Sequence, residues 1–333
     1  MKICVFFQPK DKYDNFEGAR LRKSIKGALE LVDVPYSRNL IDNYDVIHFV
    51  SPDDELKISD AKEEGIPTVF SAGLAETDIS TRLFELKGDT HVISARALRT
   101  LNKVDLILTC DEVIKDLLIK NGVHTKIEVV PLGVNTARFE MTSQLQSDIF
   151  YNYYQLSKDT KFVVSVGSYE DKEKFKALLE IARFCPNYNF YYFGRSKSKR
   201  KAPKIKNAPR NISFHLLVND EIYCSMMKNA SVFLAFDNRR YNPITLFDAA
   251  ASKTQIVALS PLYNNKDLLR KLNAYVGDST PEVASIITKI MNGELETKTE
   301  LAYKVAQENS LRKLGLALKK NYDSLLKGED END

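Results

Sequence analysis

The chain has 333 residues, 44% of them hydrophobic and 28% charged, with a formal net charge of +3. That balance excludes a disordered chain and suggests a globular protein of about two domains. No apolar run reaches the roughly 18 residues that a membrane-spanning helix needs, so none is predicted. The first strand candidate, residues 3–7, follows Met1 directly and gives way to charged sequence. It has no signal-peptide pattern, which makes a cytoplasmic location the expectation. Further strands are predicted at 46–50, 68–71, 106–109 and 127–130, and helices at 18–31, 58–64, 95–101 and 112–121. Short apolar strands alternating with amphipathic helices predict a parallel sheet covered on both faces.

The segment 129–139, VVPLGVNTARF, breaks this alternation with Pro131 and Gly133 and reads as a hinge. A charged, Tyr-rich connector fills 140–161. Alternation then resumes with strands at 162–167, 189–193 and 212–215 and helices at 174–184 and 220–228. Two similar α/β units joined by a Pro/Gly hinge imply a cleft between them. Open parallel sheets bind ligands beyond the carboxyl ends of their strands, so that cleft is the expected site. The run 195–210, RSKSKRKAPKIKNAPR, carries Arg195, Lys197, Lys199, Arg200, Lys201, Lys204, Lys206 and Arg210 and no acid. It reads as a solvated loop or as a contact with anionic lipid headgroups, at up to about 1 kcal/mol per basic residue. Aromatic residues are not interleaved with the charges, so nucleic acid ranks lower.

Residues 229–259 read as strand, loop, helix, strand. SVFLAF at 231–236 is a buried-strand run. Pro243 stands where a helix begins, since a missing N–H is tolerated in the first turn. ITLFDAAAS gives a small-residue helix and TQIVAL a second buried strand. The tail, 296–326, has Leu and Ala at helical spacing, and GEDEND closes the chain. Cys4, Cys110, Cys185 and Cys224 fit neither a metal site nor a disulfide framework, and buried thiols are expected. His48, His91, His124 and His215 are isolated, and no metal ligand set is predicted.

Four ordered segments resemble retaining GT-B glycosyltransferases of family 4. They are the hinge VVPLGVNTARF, the stretch VVSVGSYEDKEKFKALLEIARFCPNYNFYYFG, the lead-in KNAPRNISF, and the 229–259 motif. ALELVDVPYS, NYDVIHFVS and LLEIARFCPNY further resemble the bacterial branch that extends monoglycosyl-diacylglycerol to a diglycosyl lipid. The resemblance implies an α/β GT-B fold: two Rossmann-like domains facing across a cleft, with a C-terminal helix crossing back. Residues 1–135 would be the acceptor-side domain, 136–300 the donor-binding domain, and 301–333 the returning helix and polar tail.

The family's two motif glutamates match Arg240 and Asp248, so these are the candidate catalytic positions. The resemblance gives Asp248 the donor ribose. Arg240 reverses the family charge, and a guanidinium only donates hydrogen bonds; it would clamp phosphates, or else mark a sugar site that no longer works. Gly167, Ser168, Lys172, Lys174, Pro243, Ile244 and Thr245 complete the expected donor site. Lys172 meets the family's phosphate-loop Arg, Glu173 meets its Lys, and Lys174 offers the second positive charge. Pro243 replaces a family Gly. On the acceptor side the expected residues are Gly18, Ala72 and Gly73; Ala19 replaces a family Gly, and Ala72 stands at or beside a family His. Glu76 and Asp78 lie nearby as solvated acids or polar participants.

The implied activity moves a hexose, with retention, from UDP-glucose or UDP-galactose to a glycolipid acceptor on the inner face of the cell membrane. No cofactor or metal is implied, because helix N-termini and basic side chains hold the diphosphate. Membrane contact falls to Lys197, Lys199, Arg200, Lys201, Lys204 and Lys206. The alternative is a catalytically silent homologue that partners a paralogous, active glycosyltransferase.

Overall fold

The computed structural model describes residues 1–6, 16–37, 43–51, 54–72, 84–87, 90–140, 143–169, 172–195, 202–236, 244–262 and 266–327. The chain divides into two compact units, Met1–Asn135 with Glu308–Asp333, and Thr136–Gln307.

The first unit holds a six-stranded sheet of β1 (Ile3–Phe6), β2 (Tyr36–Ser37), β3 (Val46–Phe49), β4 (Thr68–Ser71), β7 (Leu106–Thr109) and β8 (Ile127–Val129). Their order is β2-β1-β3-β4-β7-β8 and every pairing is parallel. β1, β3, β4 and β7 are buried throughout, which explains why they read as continuous apolar runs rather than alternating ones. Helices α1 (Phe16–Glu30), α2 (Glu55–Glu63), α3 (Ala95–Leu101) and α4 (Glu112–Lys120) connect them. Ser94 caps α3 by accepting from the Ala97 N–H, and Asp111 caps α4 by accepting from that of Val113. Each satisfies a donor that the first helical turn leaves unpaired. An antiparallel hairpin, β5 (Phe84–Lys87) with β6 (Thr90–Ile93), was not expected from the sequence.

The last helix, α12 (Leu311–Lys327), belongs to this unit. Leu314, Leu318 and Tyr322 recur every fourth residue and are buried. At Gly315 an added Cβ would collide with the Ala28 carbonyl oxygen and come within 2.9 Å of Val32 Cγ1. Only glycine lets α12 approach α1 this closely. Farther along, the Tyr322 hydroxyl lies 2.6 Å from His48 Nδ1, and His48 Nε2 lies 2.7 Å from Ser71 Oγ. Both ring nitrogens of a fully buried imidazole are thereby paired, and burial pushes His48 down to about 3.

The second unit repeats the plan with β9 (Phe162–Ser168), β10 (Asn189–Arg195), β11 (Ile212–Leu216), β12 (Val232–Ala235), β13 (Gln255–Leu259) and β14 (Tyr275–Gly277). The order is β11-β10-β9-β12-β13-β14, again wholly parallel. Its helices are α5 (Gln144–Tyr153), α6 (Lys172–Phe184), α7 (Asp220–Asn229), α8 (Ile244–Ala251), α9 (Lys266–Lys271), α10 (Thr280–Asn292) and α11 (Thr299–Glu308). One core packs Leu178 and Ile181 of α6 and Ile287 of α10 on Val163, Phe190 and Leu234 of the sheet. The sequence reading did not predict α9, β14 or α10, and it differs elsewhere too. The expected connector contains α5, whose Phe150 stacks on Phe162 at 4.9 Å. Helix α6 begins two residues early, and the single tail helix is two helices separated at Asn309–Ser310.

Candidate functional site: the carboxyl edge of the second sheet

In the second unit the chain runs outward from β9 to β10 and β11, then returns to place β12 on the other side of β9. The connections after β9 and β12 therefore leave in opposite directions. Such a switch point opens a crevice at the carboxyl edge of a parallel sheet. Pairing widens the effect. β9 pairs with β10 as far as Ser168↔Arg195, but with β12 only at Val163↔Val232 and Val164↔Phe233.

Most of the expected donor residues that are described lie on the two banks of this crevice. Gly167 and Ser168 end β9. A Cβ at Gly167 would lie 2.8 Å from the Tyr192 hydroxyl, so any other residue there would have to displace that ring. Lys172 is the first residue of α6 and exposed, and Lys174, one residue beyond Glu173, is half-buried. On the opposite bank α8 opens with Ile244 and Thr245, both half-buried. The first turns of α6 and α8 bring their positive dipole ends to this edge, which suits an anion. Arg240 and Pro243 lie outside the described residues.

Asp248 sits one turn into α8 and is 2% exposed. Its Oδ2 accepts from the Tyr223 hydroxyl at 2.9 Å and lies 2.7 Å from Arg138 Nη2. Tyr223 is a buried residue of α7. Arg138 belongs to a 3-10 turn, Thr136–Phe139, at the start of the unit. Its guanidinium lies 4.8 Å from the Phe139 ring and 5.1 Å from the Tyr223 ring, with Asp220 Oδ1 3.9 Å from Nη1. Arg138 and Tyr223 are absent from the sequence-derived site. The Arg-Phe that ends the hinge segment was the available signal for Arg138; Tyr223 had none. At the far side of the same edge, the Tyr169 hydroxyl donates to the His215 carbonyl at 2.7 Å. Burial pushes Tyr169 up and His215 down from their ordinary values.

In the first unit, Gly18 lies in the first turn of α1. Ala72 is buried, and its N–H donates to the Leu108 carbonyl, extending the β4–β7 ladder by one residue. Gly73, Glu76 and Asp78 lie outside the described residues. So do Lys197, Lys199, Arg200 and Lys201, whereas Lys204 and Lys206 are described and exposed. Among the described residues no group of three His, Cys, Asp or Glu could hold a metal ion. Nor is any helix among them long and apolar enough to cross a membrane.

Over 338 aligned residues the sequence is 25% identical to the processive diacylglycerol alpha-glucosyltransferase of Acholeplasma laidlawii, covering 98% of this chain and 99% of that protein. Its two parallel α/β sheets have the fold of GT-B glycosyltransferases. Residues 6–138 match the model of Glycosyltransferase Family 4. Among solved structures, the GT-B fold here is similar to that of a sucrose-phosphate synthase from Thermosynechococcus elongatus. That match has a TM-score of 0.71 at 11% identity, over 98% of this chain and 99% of the other. Anabaena HepE in complex with UDP matches with a TM-score of 0.67 at 14% identity, over 98% of this chain and all (100%) of that one. The expected fold class, two parallel α/β units of GT-B type, is the one found.

Proposed function

We propose that this chain is a retaining hexosyltransferase that moves glucose or galactose from a UDP-sugar to a glycolipid acceptor at a membrane surface. The observation that carries this reading is the near-complete alignment with a diacylglycerol glucosyltransferase. The UDP and UDP-glucose complexes of the Anabaena neighbour support the choice of donor. In this reading the diphosphate lies against the first turns of α6 and α8, with Lys172 and Lys174 supplying positive charge. Gly167, Ser168, Ile244 and Thr245 line its approach, and Asp248 accepts from the ribose hydroxyls. Arg240 stands at the position that the family resemblance sets near the sugar, and Pro243 at that of a family Gly. Departure of UDP is the demanding step, because negative charge grows on the β-phosphate as the glycosidic bond breaks. Fixed N–H dipoles and lysines stabilise that charge without reorganising. Gly18, Ala72 and Gly73 are assigned to the acceptor side, and the basic run ending in Lys204 and Lys206 meets anionic headgroups.

The test is binding followed by turnover. A ligand at one hundred times its Kd adds about 2.7 kcal/mol of stability, so saturating UDP should raise Tm by several degrees. UDP-glucose or UDP-galactose with a monoglycosyl-diacylglycerol acceptor should then yield a diglycosyl lipid. An unchanged Tm with UDP and both UDP-sugars would sink the donor assignment. Binding without turnover on any glycolipid would instead favour a silent homologue that partners an active paralogue.

A further inference from the structure

We propose that Arg138, in the turn where the chain enters the second unit, is a positioning residue for the Asp248 carboxylate; the proposal rests on the donor role given to Asp248 above. Three observations carry it. First, the guanidinium lies over two rings, Phe139 from its own turn and Tyr223 from α7. An arginine packed this way keeps a fixed plane. Second, that fixed cation and the Tyr223 hydroxyl both meet the same oxygen, Oδ2 of Asp248. Two contacts on one oxygen set the rotation of the carboxylate about its χ2 axis, and hence the direction of the other oxygen. Third, Arg138 Nε and Nη2 are buried and have no hydrogen-bond partner among the described residues. The Nη2 contact with Asp248 is therefore an ion pair off the N–H direction. A half-buried cation with two nitrogens out of reach of water and unsatisfied points to orientation rather than stability as its purpose.

The placement gives this orientation its function. Asp220 follows β11 at the start of α7, and Asp248 lies one turn into the helix that follows β12. Arg138 thus spans two helix beginnings on the ligand-facing edge of the sheet. A carboxylate accepts two hydroxyls well only if its plane matches theirs, and a misrotated one loses both bonds. The arginine acts through Asp248 and touches no reacting atom. Its removal should weaken the nucleoside end of the donor and leave the acceptor alone.

The experiment compares wild type with Arg138→Gln, Arg138→Lys and Tyr223→Phe, by calorimetric UDP titration well below each Tm and by steady-state kinetics in both substrates. Arg138→Gln should raise the UDP Kd and donor KM about tenfold or more, with acceptor KM within twofold of wild type. Arg138→Lys keeps the charge but not the plane, and should recover part of the loss. Tyr223→Phe removes the second contact on the same oxygen, and should shift donor KM in the same direction by a smaller factor. It also keeps the question decidable if Arg138→Gln does not fold. Variants with lowered Tm but wild-type UDP affinity would overturn the proposal, because that is what a purely structural ion pair predicts. If wild type itself binds no UDP, the functional reading falls and this inference with it. If wild type binds and the variants bind equally well, this inference alone falls.

Discussion

Acid should destabilise the first unit through one side chain, His48. In the folded chain its imidazole is fully buried between Tyr322 and Ser71, and its pKa lies near 3 instead of the ordinary 6.5. The unfolded chain takes up a proton near pH 6.5 and the folded chain refuses it until near pH 3. The stability that depends on a neutral His48 is therefore complete above about pH 6.5 and is lost progressively as the pH falls. Each pH unit in that window is worth about 1.4 kcal/mol, so the full descent amounts to about 5 kcal/mol. Carboxylates begin to titrate below about pH 5, which makes pH 7 to pH 5 the clean interval, with an expected loss of about 2 kcal/mol. The comparison protein is His48→Gln, which stays polar and does not titrate. Urea unfolding followed by circular dichroism, at half-unit steps of pH, gives both stability curves. His215 is also depressed by burial, but it is present in both proteins and cancels. The variant should be less stable at pH 7, and the gap should close by about 2 kcal/mol on reaching pH 5. Curves that fall in parallel would refute the assignment of a buried, neutral His48.

Gly315→Ala would add about 1 kcal/mol of helix propensity at an exposed site. Here the new methyl meets the Ala28 carbonyl, which cannot move without its helix, so overpacking of about 1–3 kcal/mol should prevail and Tm should drop. A raised Tm would mean that the α1–α12 contact is slack. Sedimentation with anionic vesicles should be reversed by salt. Replacing Lys197, Lys199, Arg200, Lys201, Lys204 and Lys206 with glutamine should abolish it while leaving UDP affinity intact; vesicle binding that survives would move the lipid contact elsewhere.

The parallel sheets were legible because their strands are buried on both faces. Val46–Phe49, Thr68–Ser71 and Leu106–Thr109 stand out as β-branched or aromatic runs between charged helices. Helix α5 was not legible. Its sequence, QLQSDIFYNY, is polar and aromatic, and its buried face consists of Asp148, Phe150 and Tyr151. Aromatic packing against Phe162, not local propensity, holds it. Helix α10, which the sequence reading does not predict, carries Ser279 at the N-cap, a proline in the first turn, and Gly293 beyond the end at φ 76°. Family resemblance singled out Asp248, yet the residues that contact it could not be read from the sequence. Arg138 and Tyr223 reach it from elements far apart in the chain, and no periodicity links them. The loop containing Arg240 and Pro243 bears the sharpest departures from the family pattern, and it lies outside the described residues.

The pairing of His48 with Tyr322 also bears on synthesis. The two residues are 274 positions apart, with the whole second unit encoded between them. At about 5–20 residues per second a ribosome needs roughly 15–55 s to cover that distance. For most of that interval, from the completion of β8 at Val129 onward, the first sheet lacks the helix that supplies Leu314, Leu318 and Tyr322, and His48 Nδ1 has yet to meet its hydroxyl. The second unit, contiguous in sequence, can close first. The unit that begins the chain is thus the last to be finished, and a nascent chain halted before Leu311 would carry an uncovered apolar face on the part synthesised earliest.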